Sequence, residues 1–288
     1  MDQTISRAGF PGFALRQIAA TSWILLYCLV SAGPVLAQRT GILALRATYG
    51  ERGPDITSEL IWRVFLVRGT DAQLVQQSDQ VRPSLALPAG EYAIHVSHGL
   101  ATAIRQLSVT ETGSLAVIPI NAGGLLVGGH IGGPDMPLAP QRQGIRLFIP
   151  SANNSEARLV TSTLKAGTVL RLPEGTYHLV STYTGTNSVI RSDVKIETGR
   201  ITQASVNHRA ASMTLKLVRV EGGVALAGTQ WTIETPGGDI VAEAVGAFPT
   251  IDIAEGSYVV TARHNDRDFR GTMKVEGGLN RDFEIVVE

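Results

Sequence analysis

One eight-residue pattern occurs three times in this chain, and it limits the possible folds more than any other feature. The copies are Leu85-Ala-Leu-Pro88-Ala-Gly90-Glu-Tyr92, Leu170-Arg-Leu-Pro173-Glu-Gly175-Thr-Tyr177 and Ile251-Asp-Ile-Ala254-Glu-Gly256-Ser-Tyr258. Their tyrosines stand 85 and 81 residues apart. A second marker follows each copy: Val109-Thr-Glu-Thr-Gly113, Ile196-Glu-Thr-Gly199 and Val275-Glu-Gly-Gly278. A third precedes each: Trp62-Arg-Val, Ile145-Arg-Leu and Trp231-Thr-Ile. Three markers in one order, three times, mean internal duplication of a structural unit. The 288 residues then divide into a leader at 1–37 and modules at 38–121, 122–208 and 209–288.

Within a module the hydrophobic period is two. Tyr92, Ile94 and Val96 fall on one face, and Ala93, His95 and Ser97 on the other. Tyr258, Val260 and Ala262 alternate in the same way with Val259, Thr261 and Arg263. Such runs are strands with one buried face. Seven are expected in module one, at about 41–48, 59–67, 73–78, 84–88, 91–97, 102–110 and 114–120. No segment after the leader keeps a helical period. Seven short antiparallel strands with frequent turn signals predict an all-β chain of three tandem Greek-key β-sandwich modules.

The signature itself reads as a turn entering a strand. Pro88 and Pro173 fix φ near the value a turn's second position needs, and Ala254 leaves that turn less rigid. Gly90, Gly175 and Gly256 are expected to take positive φ. Tyr92, Tyr177 and Tyr258 should point inward, each hydroxyl bonded to nearby turn backbone. Trp62 and Trp231 share a slot with Ile145, which assigns them to the core rather than to a sugar-stacking platform. The short junctions predict limited hinge motion at Gly123-Gly124. The Gly/Pro-rich stretch from Gly128 to Pro140 reads as a loose loop.

The leader has Arg7 and Arg16, an apolar run from Ile18 to Val30, a breaking Gly33-Pro34 and the exit Val35-Leu36-Ala37. That order is a secretory signal peptide cut between Ala37 and Gln38; the alternative is an uncleaved anchor. The single cysteine, Cys28, lies in this run, so the exported chain carries none. Its location is then periplasmic or secreted, with no membrane contact after cleavage.

Leu-x-Leu-Pro-x-Gly-x-Tyr running into an alternating strand resembles carboxypeptidase-regulatory-like, transthyretin-like modules. It is also similar to PEGA and collagen-adhesin B-type repeats, and the tyrosine resembles the corner residue of immunoglobulin-like sandwiches. The resemblance covers most of the chain after the leader. It implies an immunoglobulin/transthyretin-like fold and non-catalytic work as spacer, stalk or interaction domain. Some adhesin repeats join a first-strand lysine to a late asparagine through an isopeptide. This chain departs from that pattern: only Lys216 lies in a first strand, and Thr261 and Ala262 stand where an acid is wanted.

Chemistry-bearing patterns are sparse. There is no Gly-x-Ser-x-Gly, no His-Glu-x-x-His, and no Gly-Lys-Ser/Thr after Gly128-Gly-His-Ile-Gly-Gly133. His98 and His264 lie six residues past their signature tyrosines, where module two has Tyr183. These histidines read as surface residues near strand ends, and Asp252, Asp266, Asp268 and Asp282 as solvated charges. No catalytic, cofactor-binding or metal residues are assigned, and no cofactor is implied. With 25 basic and 25 acidic side chains the formal charge is zero, which offers nucleic acid no basic face. The expected function is a non-enzymatic envelope scaffold whose partner is another envelope protein or a glycan. The alternative is a carbohydrate-binding periplasmic or surface protein.

Overall fold

Six reversals of direction separate the first strand of a seven-stranded unit from its last, so the two run the same way. The computed structural model, which describes residues 39–287, shows how this closes each module. In module one the strands are β1 (Thr40–Tyr49), β2 (Leu60–Arg68), β3 (Asp71–Ser78), β4 (Ser84–Pro88), β5 (Gly90–His98), β6 (Ala101–Val109) and β7 (Ser114–Ile120). β1 pairs with β4 antiparallel and with β7 parallel, giving the order β4-β1-β7. The facing sheet has the order β3-β2-β5-β6 and is antiparallel throughout.

Module two repeats this with β8 (Ala122–Ile131), β9 (Gly133–Pro137), β10 (Gln143–Ser151), β11 (Asn154–Thr161), β12 (Val169–Pro173), β13 (Gly175–Tyr183), β14 (Val189–Ile196) and β15 (Ile201–His208). Its sheets are β12-β8-β15 and β11-β10-β13-β14, with β9 as an extra partner of β8. Module three has β16 (Ala210–Val218), β17 (Gln230–Glu234), β18 (Ile240–Val245), β19 (Thr250–Ala254), β20 (Gly256–His264), β21 (Arg267–Val275) and β22 (Arg281–Val286). Its sheets are β19-β16-β22 and β18-β17-β20-β21. The chain is therefore three tandem β-sandwiches, and the expectation of antiparallel strands fails at one pairing per module. The first and last strands pair in parallel in all three. The signal peptide, with Ala37 and Gln38, lies outside the described residues.

Each sandwich buries its own apolar cluster between its two sheets. Trp62 and Trp231 are fully buried, and their indole N–H groups donate to the carbonyls of Gln80 and Gly246, both at 3.0 Å. Ile145 holds the same slot in module two and is equally buried. Seen against these positions, no tryptophan of the described residues offers a platform for a sugar.

The three signature tyrosines behave alike. Tyr92, Tyr177 and Tyr258 each donate a 2.9 Å hydrogen bond to the carbonyl four residues back, that of Pro88, Pro173 and Ala254. The ring thereby folds back over the signature glycine. A Cβ on Gly90, Gly175 or Gly256 would lie 3.6, 3.8 or 3.5 Å from the ring's Cε2. The expected positive-φ turn at these glycines is corrected. Gly90 has no positive φ, and Gly175 and Gly256 sit at 157° and 159°, at the border of extended backbone. The left-handed positions belong to the second marker, where Gly113, Gly199 and Gly278 have φ of 84°, 75° and 80°. There the chain must reverse within a tight turn before the last strand, and glycine adopts that geometry without a Cβ clash.

Tyr177→Phe should cost module two about 1 kcal/mol, the usual net value of one hydrogen bond lost from a partly buried carbonyl. Tyr258→Phe should cost more, because its hydroxyl also accepts from Asn187 Nδ2 at 3.0 Å. Urea denaturation of the two variants checks the order; equal losses would show that the second bond adds nothing.

Candidate functional site

The polar groups that stand out gather where one sandwich meets the next. One residue separates the last strand of a module from the first of its successor: Asn121 between β7 and β8, and Arg209 between β15 and β16. Parallel closure causes this, since it delivers the chain to the far end of the module where the next must begin. Gly123 and Gly124 are no hinge. Both lie inside β8, and a Cβ on Gly123 would come 2.3 Å from the Glu197 carbonyl oxygen. Their smallness lets the β14–β15 turn pack onto the strand.

At the first junction the β5–β6 turn abuts β12. The Leu100 N–H donates to the Arg171 carbonyl at 3.0 Å. Gly99 meets Arg171 so closely that a Cβ would lie 2.6 Å from the arginine's own Cβ. Arg171 Nε pairs with Glu59 Oε2 at 3.3 Å. Glu59 has φ 55°, an uncommon value for a side chain that is not glycine, asparagine or aspartate. Its carbonyl accepts from His98 Nδ1 at 3.2 Å, so that nitrogen carries the proton. His98 Nε2 then accepts from the Tyr49 hydroxyl at 3.1 Å. His98 is completely buried, against the expectation of a surface residue, because Tyr49, Glu59 and the turn close over it. Burial first, and the Arg171 charge after it, holds its pKa below the ordinary 6.5 against the opposing pull of the Glu59 carbonyl.

The second junction converges on Asp252 of β19. Its carboxylate accepts from Arg142 at 2.8 Å, from the Tyr183 hydroxyl at 3.1 Å and from Ser212. Arg142 also lies over the Tyr183 ring, 4.5 Å from its centroid. Asp252 is thus a junction acceptor rather than a solvated charge. Burial pushes its pKa up, but the donors from Ser212, Arg142 and Tyr183 outweigh that and hold it below the ordinary 3.8. Asn187 bridges as well, accepting the Ala254 N–H at 2.9 Å while donating to Tyr258. Leu138, Tyr183 and Ala210 form a small apolar cluster of their own. The Gly/Pro-rich stretch is no loose loop. It holds β9 and the single 3-10 turn Pro140–Arg142, which carry Leu138 and Arg142 to the junction.

His208, the last residue of β15, sits fully buried beside this site. Its Nε2 and Nδ1 lie 2.9 Å from the hydroxyls of Ser181 and Ser188, and Ser181 accepts from Gln143. Burial lowers its pKa below 6.5. The serine beside the histidine forms no catalytic pair, because neither is open to solvent.

The two histidines fix the sign of a pH effect. Each binds fewer protons in the closed junction than in the open chain, so closure is favoured above about pH 6.5 and weakens as pH falls through it. Thermal midpoints should be flat near pH 8 and drop steadily below about pH 6.5. His98→Gln with His208→Gln should flatten that drop; a drop of unchanged slope would assign it to other groups.

Lys216 lies on the outer face of its sheet, paired with Asp282 and with Glu284 at 3.8 Å. The hydrogen bond from Asp282 raises its pKa, so the amine stays charged and is a poor nucleophile for an isopeptide. Among the described residues, no three His, Cys, Asp or Glu side chains converge as a metal site. No helix among them is long and apolar enough to cross a membrane.

Neither junction was legible as a site. Asp252, Arg171 and Glu59 are each more than sixty residues from the partner they meet. The one available signal was the six-residue offset shared by His98, Tyr183 and His264.

Among solved structures the chain is similar to the Bacillus anthracis TIE protein, with 18% identity over 87% of this chain and 51% of that one and a TM-score of 0.27. It thus spans about half the length of that protein. A streptococcal ancillary pilin shares 11% identity over 86% of this chain and 99% of its own, with a TM-score of 0.32. The minor pilin of Streptococcus agalactiae shares 12% over 58% and 94%, with a TM-score of 0.26. No curated protein matches the sequence. Residues 212–287, nearly all of module three, match the Rhizobiales growth-associated tandem repeat domain.

Proposed function

We propose that this chain is an exported, non-catalytic scaffold of the bacterial cell envelope that holds three sandwich modules, at 38–121, 122–208 and 209–288, in a fixed relation. The observation that carries this reading is the pair of junctions. Each has a one-residue linker, an ion pair between modules, cross-module hydrogen bonds and a buried histidine beside it. Modules meant to move freely need none of these. The tandem-repeat match of module three and the likeness of the signature to carboxypeptidase-regulatory-like repeats support the same reading. Residues 1–37 serve as its signal peptide, and the partner is another envelope protein or a glycan. The burial of Trp62 and Trp231 weighs against the carbohydrate-binding alternative.

Two measurements test this. N-terminal sequencing of the chain from the envelope fraction should begin at Gln38; a product that still starts at Met1 in the cytoplasm overturns export. Amide hydrogen exchange at Leu100 and Ala254, the two N–H groups bonded across the junctions, should approach that of the cores. Loop-like exchange at both would make the chain a string of independent beads and overturn the scaffold.

A further inference from the structure

Two positions recur in every module and meet only across junctions. The first is the middle residue of Leu-x-Leu, six before the signature tyrosine: Ala86, Arg171 and Asp252. The second stands three residues before the tryptophan slot, where the second strand of the module begins: Glu59, Arg142 and Gly228. The second position of one module faces the first position of the next. At the first junction this sets Glu59 against Arg171, and at the second Arg142 against Asp252. The same two sites therefore carry an acid facing a base and then a base facing an acid. The positions left over, Ala86 and Gly228, are uncharged.

We propose that this reversal is a pairing code that determines which module seats on which. Were module three to dock behind module one, Glu59 would face Asp252. Were module two to dock behind another copy of itself, Arg142 would face Arg171. Both are like-charge contacts, in the one place where neighbouring backbones come too close for side chains to turn away. Partly exposed ion pairs add little to stability. Their effect is on discrimination, because a wrong partner meets repulsion as well as the loss of the right contact. Two neutral positions at the outer ends leave no unpaired charge there.

The test uses the full chain, with the Leu100 amide as reporter, since its bond to the Arg171 carbonyl survives any change of side chain. Arg171→Glu sets two carboxylates face to face and should speed Leu100 exchange by about three- to tenfold, with core amides such as Val96 and Leu179 unchanged. Glu59→Arg combined with Arg171→Glu rebuilds the pair in the polarity of the second junction, and should return Leu100 to within about twofold of the parent. Should Arg171→Glu also loosen the cores, Glu59→Lys at the more exposed partner makes the same comparison against Arg171. Single inversions that leave Leu100 unchanged would overturn the code. So would a double variant as fast as the sum of its singles.

Discussion

Gly132→Val is expected to separate modules two and three while both keep their cores. Gly132 follows β8 at φ 71°, and a Cβ there would lie 2.3 Å from the Gly278 Cα and 2.4 Å from its nitrogen. The obstacle is backbone, so no rotamer change relieves it. Gly278 is itself held at φ 80° in the second-marker turn, with its N–H bonded to the Ala210 carbonyl at 2.8 Å. A β-branched residue forced into that conformation costs on the order of 1–3 kcal/mol, and the overpacking adds a similar amount. Against this the junction sets one partly exposed ion pair, a few hydrogen bonds and a small apolar cluster. Hydrogen exchange of the Ala254 amide should rise by at least tenfold, while Leu179 in module two and Val260 in module three keep their protection. Unchanged Ala254 exchange would mean that the two turns yield and that the close approach of Gly132 and Gly278 does not hold the modules.

Trp231→Ala should destabilise module three by about 3–5 kcal/mol, the usual cost of emptying a large aromatic site from a packed core. The residue is 1% exposed and its indole N–H is satisfied by Gly246, so little relaxation is available to refill the space. Trp62→Ala should do the same to module one. The two losses should stay local, because the three apolar clusters share no residues. A loss of this size is a large part of a small module's stability. Urea melts of the full chain should therefore show one module unfolding well before the other two, with the surviving tryptophan reporting from its own module. A single transition lowered equally by either substitution would mean that the junctions couple the modules into one unit. Ile145→Ala in the same slot of module two should cost about 2–5 kcal/mol.

The strands and their buried faces were legible because both are local. Alternation from Tyr92 to Val96 specifies which side chains point inward, whatever lies opposite. The tyrosine's bond spans four residues, so the signature encodes its own partner. Repetition of the three markers then fixed the number of modules. The positive-φ glycine was misplaced for an equally local reason. A Pro-x-Gly turn and a ring folding back over glycine select the same residue, and only the backbone course separates them.

What tertiary structure decided depends on contacts that no short segment contains. Parallel pairing of β1 with β7 brings together strands that begin 74 residues apart in the chain, from Thr40 to Ser114. The ion pairs join Glu59 to Arg171 and Arg142 to Asp252, across 112 and 110 residues. In sequence those four residues are unremarkable charges on strand ends and solvent faces. They become partners only because parallel closure returns the chain to the end where the next sandwich must start. His98 and His208 are buried by the same geometry: their strands end where modules meet, and the neighbouring turns and strands exclude the water that a lone sandwich would leave there.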